Sequence, residues 1–165
     1  MNKLEITGLK INDNKSILFQ SSVNFLGYNF NATGIKPIED RVASLRQLVE
    51  PKDGKELRRI LGMFGFYQRC VPNYAVIVNP LRDLLNAAKY NWQEQHTTAF
   101  QNIKQALANA TELTYPNPNA TFTITCDASA FAIGSCLHQV VDGESFPLAF
   151  FSRKLSLTNH SKYFS

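Results

Sequence analysis

A cluster of helix and strand breakers at residues 115–119 divides the chain into two parts with different patterns. The cluster is Tyr-Pro-Asn-Pro-Asn, and proline continues neither a helix nor a central strand. Before the cluster, apolar residues recur mainly at helical spacing; after it, they alternate with threonines. The sequence therefore predicts an α+β fold in which a short hairpin and a helical middle precede a sheet.

Three strands are predicted after the breaker cluster. Threonine and apolar residues alternate over 121–127, and a second run covers 132–141. Asp142 and Gly143 form a hairpin turn signal before the third run, at 146–152. These strands should form an antiparallel meander, and Thr158 or Asn159 would cap a final helix.

Helices are predicted for the middle of the chain. The first has apolar residues at 42, 45, 48 and 49 and ends at Pro51. Asp53 is a good N-cap for the second, and Glu56 completes a pair that resembles a capping box. The apolar stripe of this second helix consists of Leu57, Ile60, Leu61, Phe64 and Tyr67. A third helix is predicted at 73–85 and a fourth from near Trp92.

The first 37 residues indicate less regular structure. Gly8 is suited to end a helix, because glycine tolerates the left-handed conformation. Residues 16–20 and 23–30 are rich in β-branched and aromatic side chains, which predicts strands.

Composition excludes several classes of protein. Among 165 residues, 44% are hydrophobic and 18% charged, which is typical of a globular chain and not of a disordered one. Three cysteines without a CxxC pair indicate neither a disulfide framework nor a zinc knuckle. No apolar run approaches the length of a membrane span. We therefore expect an intracellular protein that contacts no membrane.

Charge is concentrated in the helical middle. The net charge is +4, and residues 36–83 hold nine of the basic side chains against six acidic ones. On the second helix, Lys55, Arg58 and Arg59 lie away from the apolar stripe. They would either track a phosphate backbone or form an ordinary solvated face, and the pattern alone leaves both open.

One acidic residue is a candidate metal ligand. Asp127 closes the first strand after the breaker cluster, where a carboxylate either binds Mg²⁺ or accepts hydrogen bonds from turn N–H groups. The histidines have no ligand-like spacing, and no glycine-rich phosphate loop is present.

Several motifs together resemble the pol polyprotein of gypsy-type LTR retrotransposons. They occur in the order and spacing of that family from residue 8 to the end of the chain. They are VNFLGY at 23–28, GIKP at 34–37, KELRRILGMFGFYQR at 55–69, NPL at 79–81, TCDAS at 125–129 and PLAFFSRKL at 147–155.

The resemblance implies a domain organisation. Residues 1–37 would be the end of a reverse transcriptase palm, 38–115 the thumb and linking helices, and 116–165 the N-terminal half of a ribonuclease H-like domain. A primer-grip-like hairpin would be formed by Phe25, Leu26, Gly27 and Tyr28. Lys55, Arg58 and Arg59 would contact the template–primer backbone, and Asp127 would be the first catalytic carboxylate and metal ligand.

The same resemblance implies the partners and cofactor. Those partners would be RNA–DNA hybrid or primer–template duplex and the remainder of the pol polyprotein, and Mg²⁺ would be the metal of the intact parent enzyme. Further catalytic carboxylates would lie upstream and downstream, so we expect this chain alone to be inactive and to bind no metal tightly. The alternative is a host-retained or truncated module that binds nucleic acid or serves as a scaffold without catalysis.

Overall fold

The computed structural model describes residues 6–8 and 10–155. Between residues 10 and 155 it contains four α-helices and six β-strands. The helices are α1 (Glu39–Arg46), α2 (Gly54–Gly65), α3 (Tyr74–Asn86) and α4 (Glu94–Ala108). The strands are β1 (Val23–Phe25), β2 (Tyr28–Phe30), β3 (Ile35–Pro37), β4 (Thr121–Ala128), β5 (Ala132–Val141) and β6 (Glu144–Lys154). None of the described helices is long and apolar enough to cross a membrane.

The first sheet is a small antiparallel one with strand order β1-β2-β3. Leu26 and Gly27 connect β1 to β2, and both have positive φ angles, 47° and 83°, as a tight hairpin turn of the primed type requires. The strand predicted at residues 16–20 is wrong. Ile17, Leu18 and Phe19 are exposed and extend no sheet, because their β-forming side chains have no strand to pair with among the described residues.

The helices surround one apolar core. Fully buried side chains from three helices meet there, among them Phe64, Val78 and Phe100. Four of the five residues in the predicted apolar stripe are buried: Leu57, Ile60 and Phe64 are no more than 1% exposed, and Tyr67 is 6% exposed. Leu61 is only partly buried. Helix α1 ends earlier than predicted, and Val49 beyond it is 72% exposed.

The start of α2 follows the sequence signal closely. Asp53 Oδ1 accepts a 2.7 Å hydrogen bond from the Glu56 backbone N–H, which confirms the predicted N-cap. The Glu56 carboxylate accepts a 3.0 Å bond from Lys52 N–H, one residue before the position that a capping box would use. The helix that carries the candidate basic residues is therefore firmly anchored at its first turn.

The second sheet is the predicted antiparallel meander, with strand order β4-β5-β6. Asp142 and Gly143, with φ angles of 52° and 84°, form the turn between β5 and β6. Strand β4 is an edge strand of this sheet, and all eight of its residues are exposed in the described part of the chain. The helix predicted from Thr158 or Asn159 lies outside the described residues.

The segment before the second sheet connects the two sheets. Leu113 forms a two-way backbone bridge with Ile35, with N–O distances of 2.7 and 2.9 Å. Thr114 N–H donates to the Pro147 carbonyl oxygen of β6 at 2.9 Å. The breaker cluster that follows contains no helix or strand, as predicted. These observations confirm the α+β fold class.

Candidate nucleic-acid interface

The β1–β2 hairpin is docked on the C-terminal end of α2. The Tyr28 hydroxyl donates a 2.8 Å hydrogen bond to the carbonyl oxygen of Phe66, the C-cap residue of the helix. The Tyr28 ring also packs against Phe66 and Tyr67, with centroids 5.3 and 5.4 Å away. One tyrosine therefore attaches the hairpin to the helix through both a polar and an aromatic contact.

The turn residue Gly27 is required by this docking. Its φ of 83° disfavours a side chain, and a Cβ there would lie 3.0 Å from the Tyr67 hydroxyl oxygen and 3.1 Å from the Phe66 ring. The Gly27 carbonyl oxygen accepts hydrogen bonds from Ile38 N–H at 3.1 Å and from the Tyr67 hydroxyl at 3.4 Å. The hairpin backbone thus lies directly against the helix end.

Two arginines lie near this aromatic cluster. Burial raises the pKa of Tyr28 to about 12, with Cys70 adding to the rise and the positive charge of Arg69 opposing it. Burial also raises the pKa of Tyr67, and Arg41 opposes that rise. Both phenols therefore remain protonated hydrogen-bond donors near neutral pH, and the cluster has positive charge beside it.

The surface of α2 opposite the core carries the basic residues. Positions 55, 58, 59, 62 and 66 follow the helical spacing, so they share one side of the helix. We call this surface the basic face; it consists of Lys55, Arg58, Arg59, Gly62 and Phe66, all exposed. Arg59 also forms a 3.7 Å ion pair with Glu56, an exposed contact that competes weakly with other partners.

Gly62 makes the centre of the basic face flat. A Cβ at this position would meet nothing within 4 Å, so the missing side chain is not explained by packing. Glycine in a helix interior is less favourable than alanine by roughly 0.5–1 kcal/mol. Its presence at an open position would allow a ligand to approach the helix backbone closely.

The structure brings together two groups that the sequence indicated separately. Phe66 belongs to the basic face and contacts Tyr28, so Phe25, Leu26, Gly27 and Tyr28 lie at one end of the face that carries the basic side chains. Phe25 and Leu26 are 59% and 72% exposed. Gly62 was not predicted from the sequence as part of this surface. It lies three residues after Arg59 and four after Arg58, and this helical spacing would have indicated that it shares their side of the helix.

Asp127 lies in the second sheet and not on the basic face. It is exposed near the end of β4 and is paired with Gly134 of β5. Asp142 and Glu144 lie at the opposite end of β5, by its turn to β6. At ~3.3 Å per residue, this is roughly 25 Å from Asp127.

Among residues 6–8 and 10–155, no three His, Cys, Asp or Glu side chains lie close enough together to hold a metal ion. A two-magnesium site needs several anionic ligands, so the described residues do not fit such a site.

Comparison with known proteins shows which families this chain is similar to. A family model described as an RNase H-like domain found in reverse transcriptase matches residues 92–163. The transposon Tf2-3 and Tf2-4 polyproteins of Schizosaccharomyces pombe are each 31% identical to this chain over 158 residues. The resemblance to retrotransposon polyproteins is confirmed. That match covers 94% of this chain but only 12% of either polyprotein.

Solved reverse transcriptases share the fold of this chain. A foamy viral protease–reverse transcriptase in complex with dsDNA matches with a TM-score of 0.79 and 27% identity, covering 89% of this chain and 31% of that one. The foamy viral enzyme in complex with RNA/DNA hybrid matches with a TM-score of 0.77 and 27% identity, covering 89% and 20%. The similarity therefore covers most of the length of this chain.

Proposed function

We propose that this chain is the part of a retrotransposon reverse transcriptase and ribonuclease H polyprotein that holds duplex nucleic acid. The contact surface would be the basic face of α2 together with the hairpin turn at Phe25, Leu26, Gly27 and Tyr28. The observation that carries the proposal is the position of Phe66, which belongs to the basic face and contacts Tyr28 of the hairpin.

The chemistry of this surface suits a duplex backbone. Lys55, Arg58 and Arg59 provide three positive charges on one side of a helix, and Gly62 between them and Phe66 leaves room for close approach. Contacts to phosphate hold a duplex without reading its sequence, which a copying enzyme needs. The foamy viral relatives, solved with dsDNA and with RNA/DNA hybrid, support a duplex partner.

The division into domains is part of the proposal. Residues 1–37 would end the palm, 38–115 would form the thumb and linking helices, and 116–165 would begin the ribonuclease H-like domain. Asp127 would serve hybrid cleavage only together with ligands from outside the described residues, and Mg²⁺ would be bound only in the longer polyprotein. The rest of that polyprotein would be the protein partner of this chain. The chain would be located inside the cell.

A salt titration tests the proposal. Anisotropy would be measured with a labelled DNA duplex and an RNA–DNA hybrid of the same sequence over a series of salt concentrations. If three phosphates are neutralised, a plot of the logarithm of the binding constant against the logarithm of the salt concentration has a slope of roughly −2 to −3. The combined change Lys55→Ala, Arg58→Ala and Arg59→Ala should bring this slope close to zero. Duplexes of different sequence should bind equally.

A second triple variant controls for net charge. Arg46, Lys89 and Arg153 are exposed and lie outside the basic face, so replacing all three with alanine removes the same charge. This control should keep most of the slope. Equal slopes for the two triple variants would contradict the assignment of the basic face, and absence of binding by the parent chain would favour a scaffold without nucleic acid.

A further inference from the structure

The first turn of α3 is capped by a residue from the second sheet. Asn73, the N-cap residue, has a left-handed backbone with φ of 54°, and its side chain makes no capping hydrogen bond. The Ala75 N–H in the first turn donates a 2.8 Å hydrogen bond to Ser152 Oγ of β6, 77 positions along the chain. A helix N-terminus needs such an acceptor, and here a distant strand supplies it.

Ser152 belongs to the same row of the sheet as Asp127. The register pairs Ser152 with Gly134 and Gly134 with Asp127, so the three residues lie side by side on one face. A Cβ at Gly134 would lie 3.1 Å from Asn73 Oδ1. The N-terminus of α3 therefore lies against two of the three positions in the row that ends at Asp127.

A second contact joins the same elements further along. Lys154 Nζ of β6 lies 2.7 and 3.0 Å from the carboxylate oxygens of Asp83 on α3. Both side chains are about half exposed, at 44% and 52%, so this ion pair stabilises the junction only weakly. Ser152 is the better-defined attachment because its partner is a backbone group of fixed direction.

We propose that Ser152 is a positioning residue: it fixes the row of the second sheet that contains Asp127 relative to the helices. The proposal rests on the proposed function in that Asp127 and the basic face of α2 would act on one duplex. Because Ser152 Oγ accepts a hydrogen bond from Ala75 N–H, it holds the sheet in one orientation on α3. Helix α3 in turn packs into the same apolar core as α2. This contact gives Asp127, in the same row of the sheet, a fixed position relative to α3.

A distance measurement between spin labels tests the proposal without any nucleic acid. Labels at Val49→Cys and Phe131→Cys, both highly exposed positions, would report the distance between the helical part and the second sheet. Cys126→Ser and Cys136→Ser would remove the more accessible native thiols, and Cys70 is buried. The same variants would be examined by amide hydrogen exchange at Ala75.

The expected result separates positioning from mere stabilisation. Ser152→Ala should add a second distance population and speed exchange of the Ala75 amide about tenfold. Ser152→Thr, which keeps the hydroxyl, should restore the single distance, and Ser44→Ala, an exposed serine of α1, should leave it unchanged.

An unchanged single distance in Ser152→Ala would overturn the proposal, even with a lowered melting temperature. If Ser152→Ala fails to fold, Ser152→Cys provides a weaker acceptor, and an Ala75 exchange rate equal to the parent rate would overturn it. Failure of duplex binding would affect the proposed function and leave this result standing.

Discussion

The Tyr28 hydroxyl donates a 2.8 Å hydrogen bond to the carbonyl oxygen of Phe66. This carbonyl is among those at the end of α2 that have no partner within the helix, so a side chain of the hairpin satisfies it. The hairpin turn and the basic face are therefore parts of one continuous surface. Phe25 and Leu26, which are 59% and 72% exposed, therefore lie at the end of this surface that Phe66 occupies.

Removing the Tyr28 hydroxyl should loosen the hairpin. We expect Tyr28→Phe to lower the free energy of unfolding by about 1 kcal/mol, because the Phe66 carbonyl loses its partner while the ring contacts remain. Tyr28→Ala should cost more, about 2–3 kcal/mol, because the contacts with Phe66 and Tyr67 are lost too. Urea unfolding measures both changes; equal stability of Tyr28→Phe and the parent would show that this hydrogen bond contributes nothing.

Local patterns predicted the elements of this fold well. The Asp53 cap, the apolar stripe of α2 and the turn at Asp142 and Gly143 each depend on residues within one helix or hairpin. The same kind of pattern failed at residues 16–20, where strand propensity was present but a pairing strand was absent among the described residues. A strand needs a distant partner, and propensity alone does not reveal one.

The candidate site was predictable only in its parts. The basic residues of α2 follow from helical spacing, and the hairpin from its turn residues. Their junction depends on Tyr28 and Phe66, which are 38 positions apart and carry no shared local signal. The hydrogen bond between Ser152 and Ala75, which are 77 positions apart, could not be predicted from the sequence for the same reason. Such contacts are products of tertiary packing.

Stability should fall at alkaline pH. Burial raises the pKa of the Cys70 thiol from 9.0 to about 11, and that of the Tyr74 hydroxyl from 10.0 to about 12. The unfolded chain therefore loses these protons first, so stability is fully present below pH 9.0 and falls as the pH rises through these ranges.

Urea unfolding at about pH 8 and about pH 10 measures this fall. Cys70→Ala removes the thiol that titrates first, so its stability should fall less between the two pH values. If the variant and the parent lose stability equally, the buried thiol is not a source of the alkaline instability.

The loss of stability on truncating an apolar side chain of α2 should depend on the position of that side chain in the apolar stripe. Phe64 is fully buried, with its ring centroid 5.9 Å from that of Phe100, so Phe64→Ala should cost about 3–5 kcal/mol. Leu61 is only partly buried, so Leu61→Ala should cost roughly half as much. Thermal or urea unfolding tests the order; a larger loss for Leu61→Ala would mean that α2 is rotated about its axis so that Leu61, and not Phe64, faces the core.

Gly62→Ala should separate stability from binding. The added methyl group meets nothing within 4 Å, so the helix should gain roughly 0.5–1 kcal/mol of stability. If a duplex lies close to the helix backbone, the same methyl group should weaken its binding. Gly65→Ala, whose Cβ would lie 3.6 Å from the Tyr74 hydroxyl oxygen, is the matched control and should leave binding unchanged. Unimpaired binding by Gly62→Ala would exclude close approach at this position.

Asp127 should be unable to support hybrid cleavage with the described residues alone. Mg²⁺ gives up water reluctantly, and two such ions repel each other unless several carboxylates surround them. The neighbours of Asp127 across the sheet are Gly134 and Ser152, which bring no charge, and Asp142 and Glu144 lie at the far end of the sheet. We therefore expect no cut in a labelled RNA–DNA hybrid incubated with this chain and Mg²⁺ or Mn²⁺.

A longer segment of the polyprotein provides the positive control for Asp127. Where such a segment cleaves the hybrid, Asp127→Asn should abolish cleavage, because the amide keeps the shape of the side chain but carries no negative charge for a metal ion. Binding of the uncleaved hybrid by the same variant should persist, since the basic face on α2 is untouched. Cleavage by the 165-residue chain that disappears with Asp127→Asn would instead show that the ligands are already complete within it.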